Sequence, residues 1–236
     1  MSKMKVIIAG GTSGIGLATA ALLANNGAEV IITGRKREKM EQALATLPAA
    51  VKGQLTDAAD VAALKACMAA AGQIDHLVLA LSGAKGGGLF RDLDLAQLRA
   101  GFEEKFFPQL QALQAALPYM TANGSVTFIT AVSARAKAPG VSGLGAINGA
   151  LELMVPVLAK ELKPLRVNAV SPGVIDTPWW GFLPEEARRE TFSQYAQAAP
   201  AGRVGKPEDI AAAIAQLISN TFITGQVLTV DGGLGL

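Results

Sequence analysis

Only one cysteine and one histidine occur in the 236 residues of this chain. A lone Cys67 forms no internal disulfide, and one histidine beside one cysteine does not make a zinc site of the usual ligand types, so neither a disulfide framework nor a structural metal is expected. Charge is sparse as well. Basic and acidic residues together make up 17% of the chain and nearly cancel, 21 against 19. That leaves no basic stripe for nucleic acid or for an anionic membrane surface. No apolar run approaches the roughly 18 residues needed to cross a bilayer. Met1-Ser2-Lys3-Met4-Lys5 leads straight into an apolar strand pattern, without the form of an export signal. A cytoplasmic protein with no nucleic-acid or membrane partner is the expectation. Repeats and low-complexity linkers are missing, and there are only two tyrosines, Tyr119 and Tyr195.

What the chain does have is apolar content, half of all residues, enough for one sizeable core. Short β-branched runs alternate with longer alanine- and leucine-rich stretches, the pattern of strand-helix-strand units. Strands are predicted at Lys5–Ile8, Glu29–Thr33, Val51–Gln54, His76–Leu81, Ser125–Thr130, Arg166–Val170 and Val227–Val230. Helices are predicted at Gly14–Asn26, Arg37–Leu47, Ala58–Ala71, Leu95–Thr121, Leu144–Lys163 and Pro207–Ser219. The fold class that follows is α/β: a Rossmann-type, doubly wound, parallel seven-stranded sheet with helices on both faces, spanning 1–236 as a single domain. Gly83–Gly88 and Pro178–Pro200 lack a clear pattern and read as mobile loops. The second of these carries Trp179, Trp180 and Phe182, aromatics that suit either a lid or core packing.

The first strand-to-helix turn reads Ala9-Gly10-Gly11-Thr12-Ser13-Gly14-Ile15-Gly16. Glycine here lets the backbone approach a pyrophosphate, and the helix N-terminus offers free N–H groups and partial positive charge. Three cations, Arg35-Lys36-Arg37, follow the second strand, where an acidic residue would otherwise grip a ribose 2′-hydroxyl. A guanidinium holds a phosphate through two parallel hydrogen bonds, so Arg35, aided by Lys36 and Ser13, points to NADP(H) over NAD(H).

The spacing Gly10-x-x-x-Gly14-x-Gly16 resembles that of the short-chain dehydrogenase/reductase family, and the resemblance runs along nearly the whole chain. Asp75-His76-Leu77-Val78 with Ser82-Gly83, Arg166 to Pro178, Gly202 to Asp209, Ile223-Thr224-Gly225-Gln226 and Asp231-Gly232-Gly233 are similar to family motifs and stand in the family's order. The resemblance implies an oxidoreductase and a homodimer or homotetramer. It implies cofactor contacts from Gly10, Thr12, Ser13, Gly14, Ile15, Gly16, Arg35, Lys36, Gln54, Leu55, Ser82, Gly83, Pro172, Gly173, Ile175 and Thr177. Among these, Gln54 replaces an aspartate that reads adenine, Ile175 presents backbone groups to the carboxamide, and Thr177 contacts phosphate.

At the catalytic end the pattern breaks. The family's tyrosine and lysine align with Leu144 and Asn148, its serine with Ala131, near Thr130 and Ser133, and its helical asparagine with Lys105. Leucine carries no proton, and a neutral amide does not lower a neighbour's pKa. No tyrosine lies near, and no lysine occurs between Lys137 and Lys160. Lys105, in Glu103-Glu104-Lys105-Phe106-Phe107, is either an ordinary surface lysine or an ammonium entering the vacated volume. The second case makes it a candidate catalytic residue with Ser133, helped by Ser142 or Tyr195. Two functions remain open: an NADPH-dependent reductase of a small carbonyl, imine or activated C=C substrate, or a non-catalytic NADP(H)-binding sensor or scaffold subunit. His76 and Cys67 read as packing residues.

Overall fold

The computed structural model describes residues 3–236. Seven strands, β1 (Lys5–Ala9), β2 (Glu29–Gly34), β3 (Lys52–Leu55), β4 (Ile74–Leu79), β5 (Met120–Ile129), β6 (Arg166–Pro172) and β7 (Val227–Val230), form one sheet. Its order is β3-β2-β1-β4-β5-β6-β7, and every neighbouring pair is parallel. Side chains alternate across the sheet, as the period of a strand requires. Val6 and Ile8 of β1 join the core under α1 (Gly14–Asn25), α2 (Arg37–Thr46) and α8 (Pro207–Ser219). Ile7 and Ala9 join the core under α3 (Val61–Ala71), α5 (Phe107–Ala116) and α6 (Ser142–Glu161). The chain reverses direction across the sheet between β1 and β4, so the C-terminal ends of these strands border the crevice where open α/β sheets take ligands.

Three expectations need correction. The stretch Leu95–Thr121 is not one helix. It divides into α4 (Leu95–Gly101), a five-residue π-helical turn (Phe102–Phe106), α5, and a 3₁₀ turn (Leu117–Tyr119) that leads into β5. Pro108 has no N–H to return to the carbonyl of Glu104, and the wider π turn lies where that bond is missing. The stretch Pro178–Pro200, read as a loop, holds a 3₁₀ turn (Pro178–Phe182) and a full helix, α7 (Glu185–Ala198). Glu185 and Glu186 suit the positive end of its dipole, and none of its residues is fully buried. Finally, α6 is 20 residues long with a mean hydropathy of 1.4 over its most apolar window, so by length and composition it equals a membrane span. Its buried side includes Leu151 and Val155 against the sheet and Ile147 against Gly86 and Gly101, together with the polar Asn148 and Glu152. That is the composition of a core helix beside a polar site.

Candidate active site

The glycine turn after β1 is built for close backbone approach. Gly10 and Gly14 hold positive φ, +84° and +52°. A Cβ on Gly10 would lie 2.7 Å from the Ala80 carbonyl, and one on Gly16 would strike the Gly10 carbonyl. Ser13 precedes α1 without capping it through its side chain, and the first turn contains no acidic residue. The free N–H groups there are therefore open to an anion. Thr12 packs against Gly34 at the end of β2, and Thr177 lies against Gly14. Thr33 and Gly34 pair with Gln54 and Leu55 of β3, which brings the proposed adenine-side residues together at one edge. Arg35 and Lys36 are exposed there and form no ion pair among the described residues.

Across the crevice, Ile175 is buried just beyond β6, where Pro172 and Gly173 end the strand. Its carbonyl accepts a hydrogen bond from the Trp180 indole at 3.0 Å. Ser82 and Gly83 follow β4, and the Gly83 carbonyl accepts from the Trp179 indole at 2.9 Å. Trp179, Trp180, Phe182, Phe192 and Tyr195 form one aromatic cluster, with ring centroids 4.9 to 6.4 Å apart. The segment is thus an ordered aromatic cap tied to the β4 loop. A dinucleotide fits this set of residues: a glycine cradle that any Cβ would fill, an uncapped helix end, and unpaired cations at the second strand.

Lys105 is the residue that sequence reasoning left undecided, and the structure excludes a surface position. It sits in the π turn with 7% of its surface exposed, and its Nζ donates to the Thr130 backbone carbonyl at 3.1 Å. Burial pushes its pKa down to about 8, against the opposing attraction of Glu152. Asn148 donates from Nδ2 to Ser133 Oγ at 3.0 Å and to the Leu144 carbonyl at 3.0 Å, while its buried Oδ1 has no partner. The positions that resemble the family's asparagine and lysine thus carry lysine and asparagine. Ser133 is joined to Asn148, and no hydrogen bond joins it to Lys105 among the described residues. Ser142 is exposed at the start of α6, and Tyr195 is half-exposed on α7.

Glu152 was not singled out from the sequence. It is 8% exposed, and Oε1 accepts from Thr130 Oγ1 at 3.0 Å and Ser171 Oγ at 2.8 Å, while Oε2 pairs with Arg135 Nε at 3.1 Å. A carboxylate one helical turn after Asn148, amid the apolar residues of α6, was the available signal. Gln109, one turn after Lys105, is fully buried and donates to the Leu81 and Ile129 carbonyls at 3.0 and 3.3 Å, tying together the ends of β4 and β5. His76 is buried in β4 with Nδ1 2.8 Å from Ser125 Oγ. Burial lowers its pKa to about 4, which keeps it neutral and structural. Cys67 is a buried free thiol on α3.

The sequence model of one family, described as enoyl-(acyl carrier protein) reductase, matches residues 9–235. Among individual relatives, the 3-oxoacyl-(acyl-carrier-protein) reductase FabG of Thermotoga maritima is 33% identical over 97% of this chain and 96% of its own length. The cis-4-hydroxycyclohexanecarboxylate dehydrogenase of Sinomonas cyclohexanicum is 34% identical over 96% of this chain and 94% of its own. Among solved structures, a small-chain dehydrogenase in complex with NADPH superposes with a TM-score of 0.85 at 28% identity, covering 99% of both chains. The MalC reductase/Diels-Alderase of Malbranchea aurantiaca reaches 0.90 at 27% identity, covering 100% of this chain and 96% of that one.

Proposed function

Because the chain belongs to the short-chain dehydrogenase/reductase family, we propose that it is an NADP(H)-dependent oxidoreductase whose proton delivery is rebuilt around Lys105. The observation that carries this reading is the buried Lys105 ammonium, bonded to the Thr130 carbonyl, in a chain whose Leu144 and Asn148 stand at the positions that resemble the family's tyrosine and lysine.

Arg35 and Lys36 would hold the 2′-phosphate, Ser13 would add a hydroxyl, and the glycine turn with Thr177 would hold the pyrophosphate. Asn148 Oδ1, buried without a partner, would accept from a hydroxyl of the bound dinucleotide. NADPH, when bound, supplies a hydride to an electrophilic carbon. The chain must supply the proton. With a pKa of about 8, Lys105 is largely protonated at neutral pH yet a far stronger acid than an ordinary lysine, which is the match a general acid requires. Leu144 offers only an apolar wall, so the reaction suits small imines, activated C=C bonds or carbonyls that need limited acid assistance. Leu153 and Val157 on α6 remain exposed, at 77% and 52%, as does part of Phe107 at the start of α5. These residues suit a homodimer or homotetramer.

The test compares wild type, Lys105→Met and Lys105→Arg for NADPH oxidation with imine, enone and ketone panels, alongside NADPH binding by fluorescence. Loss of the acid should lower turnover by about 10²–10⁴ while cofactor affinity stays within about threefold. A wild type that binds NADPH tightly and reduces no acceptor would instead support the non-catalytic sensor or scaffold, the reading that the replaced tyrosine and lysine favour.

A further inference from the structure

Outside the groups that would touch cofactor or substrate, the buried carboxylate of Glu152 gathers three hydrogen-bond donors. We propose that Glu152 is a positioning residue whose buried carboxylate is the counter-charge that sets the protonation of the Lys105 amine. The catalytic meaning of this inference rests on the reading of Lys105 as proton donor; the electrostatic coupling itself does not.

Three donors converge on the carboxylate: two hydroxyls from strand ends, Thr130 and Ser171, and the Arg135 guanidinium. An anion removed from water needs this many partners. Thr130 touches both charges. Its backbone carbonyl accepts from Lys105 Nζ, and its hydroxyl lies 3.0 Å from Glu152 Oε1 and 3.3 Å from the Val170 carbonyl. The shorter bond to the charged acceptor takes the hydroxyl proton. The carboxylate is therefore held one residue away from the amine through Thr130, which follows β5 and cannot move without breaking both contacts.

The other groups around the amine do not compete. On its own turn Glu103 is exposed, and Glu104 is paired with Lys85 at 2.8 Å. α5 contributes the neutral Gln109, the residue after β5 the neutral Thr130, β6 the neutral Ser171, and α6 the neutral Asn148 beside Glu152. Arg135 stands behind Glu152 with 61% of its side chain exposed, so water screens it and it neutralises the carboxylate only in part. Glu152 favours the charged amine, and burial opposes it. No proton passes between them, because the link runs through a carbonyl.

This arrangement makes a two-sided prediction that a merely structural glutamate does not. Removing the negative charge by Glu152→Gln should lower the titration midpoint of Lys105 by about one unit, the low end of the effect of a close opposite charge. Removing the screening cation by Arg135→Gln should raise it. The midpoint is read by NMR on protein carrying ¹³C-labelled lysine, with the Lys105 signal, one of twelve lysines, identified by its loss in Lys105→Met. Shifts of opposite sign support the proposal, and Glu152→Asp should restore most of the wild-type midpoint. Unmoved midpoints, or shifts of the same sign in both variants, overturn it. If Glu152→Gln does not fold, the surface variant Arg135→Gln decides alone: an upward shift supports the coupling, and none refutes it. If the midpoints move as stated while Lys105→Met retains full turnover, the coupling stands and the reading of Lys105 as acid falls.

Discussion

Replacing Lys105 with methionine should make the protein more stable at neutral pH, although it removes a hydrogen bond. The native state lowers the lysine from its ordinary 10.5 to about 8, a gap equivalent to about 3 kcal/mol. The sign follows from where the proton resides. Below pH 8 both native and unfolded chains carry it, and the native chain bears the whole penalty of a buried cation. Between 8 and 10.5 the native chain has released a proton that the unfolded chain still holds, so stability rises with pH across this window. Methionine removes the penalty but leaves the Thr130 carbonyl without its donor, a loss of about 1 kcal/mol, and deprives Glu152 of a neighbouring cation. The net gain at pH 7 is about 1–2 kcal/mol, or about 2–8 °C in Tm for a chain of this size. Thermal melts followed by circular dichroism without cofactor, at pH 7 and pH 9.5, test this. The advantage of the methionine variant should be clear at the lower pH and shrink by more than half at the higher. A variant less stable than wild type at pH 7, or an advantage equal at both pH values, would refute the reasoning.

Arg35→Ala should weaken NADPH binding about 10- to 100-fold and leave NADH within about threefold, as loss of a charge-assisted phosphate contact requires; equal losses for both would remove Arg35 from the 2′-phosphate. Arg166→Met should lower stability by about 3 kcal/mol, and Tm by about 6–12 °C, because four carbonyls, of Leu217 and Ile218 in the last turn of α8 and of Asn220 and Ile223 beyond it, lose their donor. An unchanged melt would show that water replaces the guanidinium. Trp179→Phe keeps the ring but removes the hydrogen bond to Gly83, and should raise the acceptor KM about three- to tenfold with NADPH affinity intact. A KM equal to wild type would mean that ring packing alone holds the aromatic cap.

The parallel sheet was legible because buried strands leave β-branched runs, and the glycine turn because Gly10, Gly14 and Gly16 meet neighbouring backbone where no side chain fits. α7 was not, because a helix with no fully buried residue carries no strong apolar stripe to read. The site itself failed to show for a related reason. A π turn holds one residue more per turn than an α-helix, so the periodicity of Leu95–Thr121 does not carry through Phe102–Phe106. Lys105 could therefore be assigned to either face, with Glu103 and Glu104 on one side of it and Phe106 and Phe107 on the other. Glu152 lay within a helix apolar enough to equal a membrane span, and its place one turn after Asn148 was the sole hint that it faces inward. What the sequence did reveal was the replacement of tyrosine and lysine, which by itself argues for lost chemistry. The structure changes that argument. The fold buries the Lys105 ammonium, the Glu152 carboxylate and an unpartnered Asn148 amide oxygen, where apolar side chains would have packed at lower free energy. A fold that retains this unfavourable burial beside a dinucleotide cradle breaks a packing rule where functional sites characteristically break them.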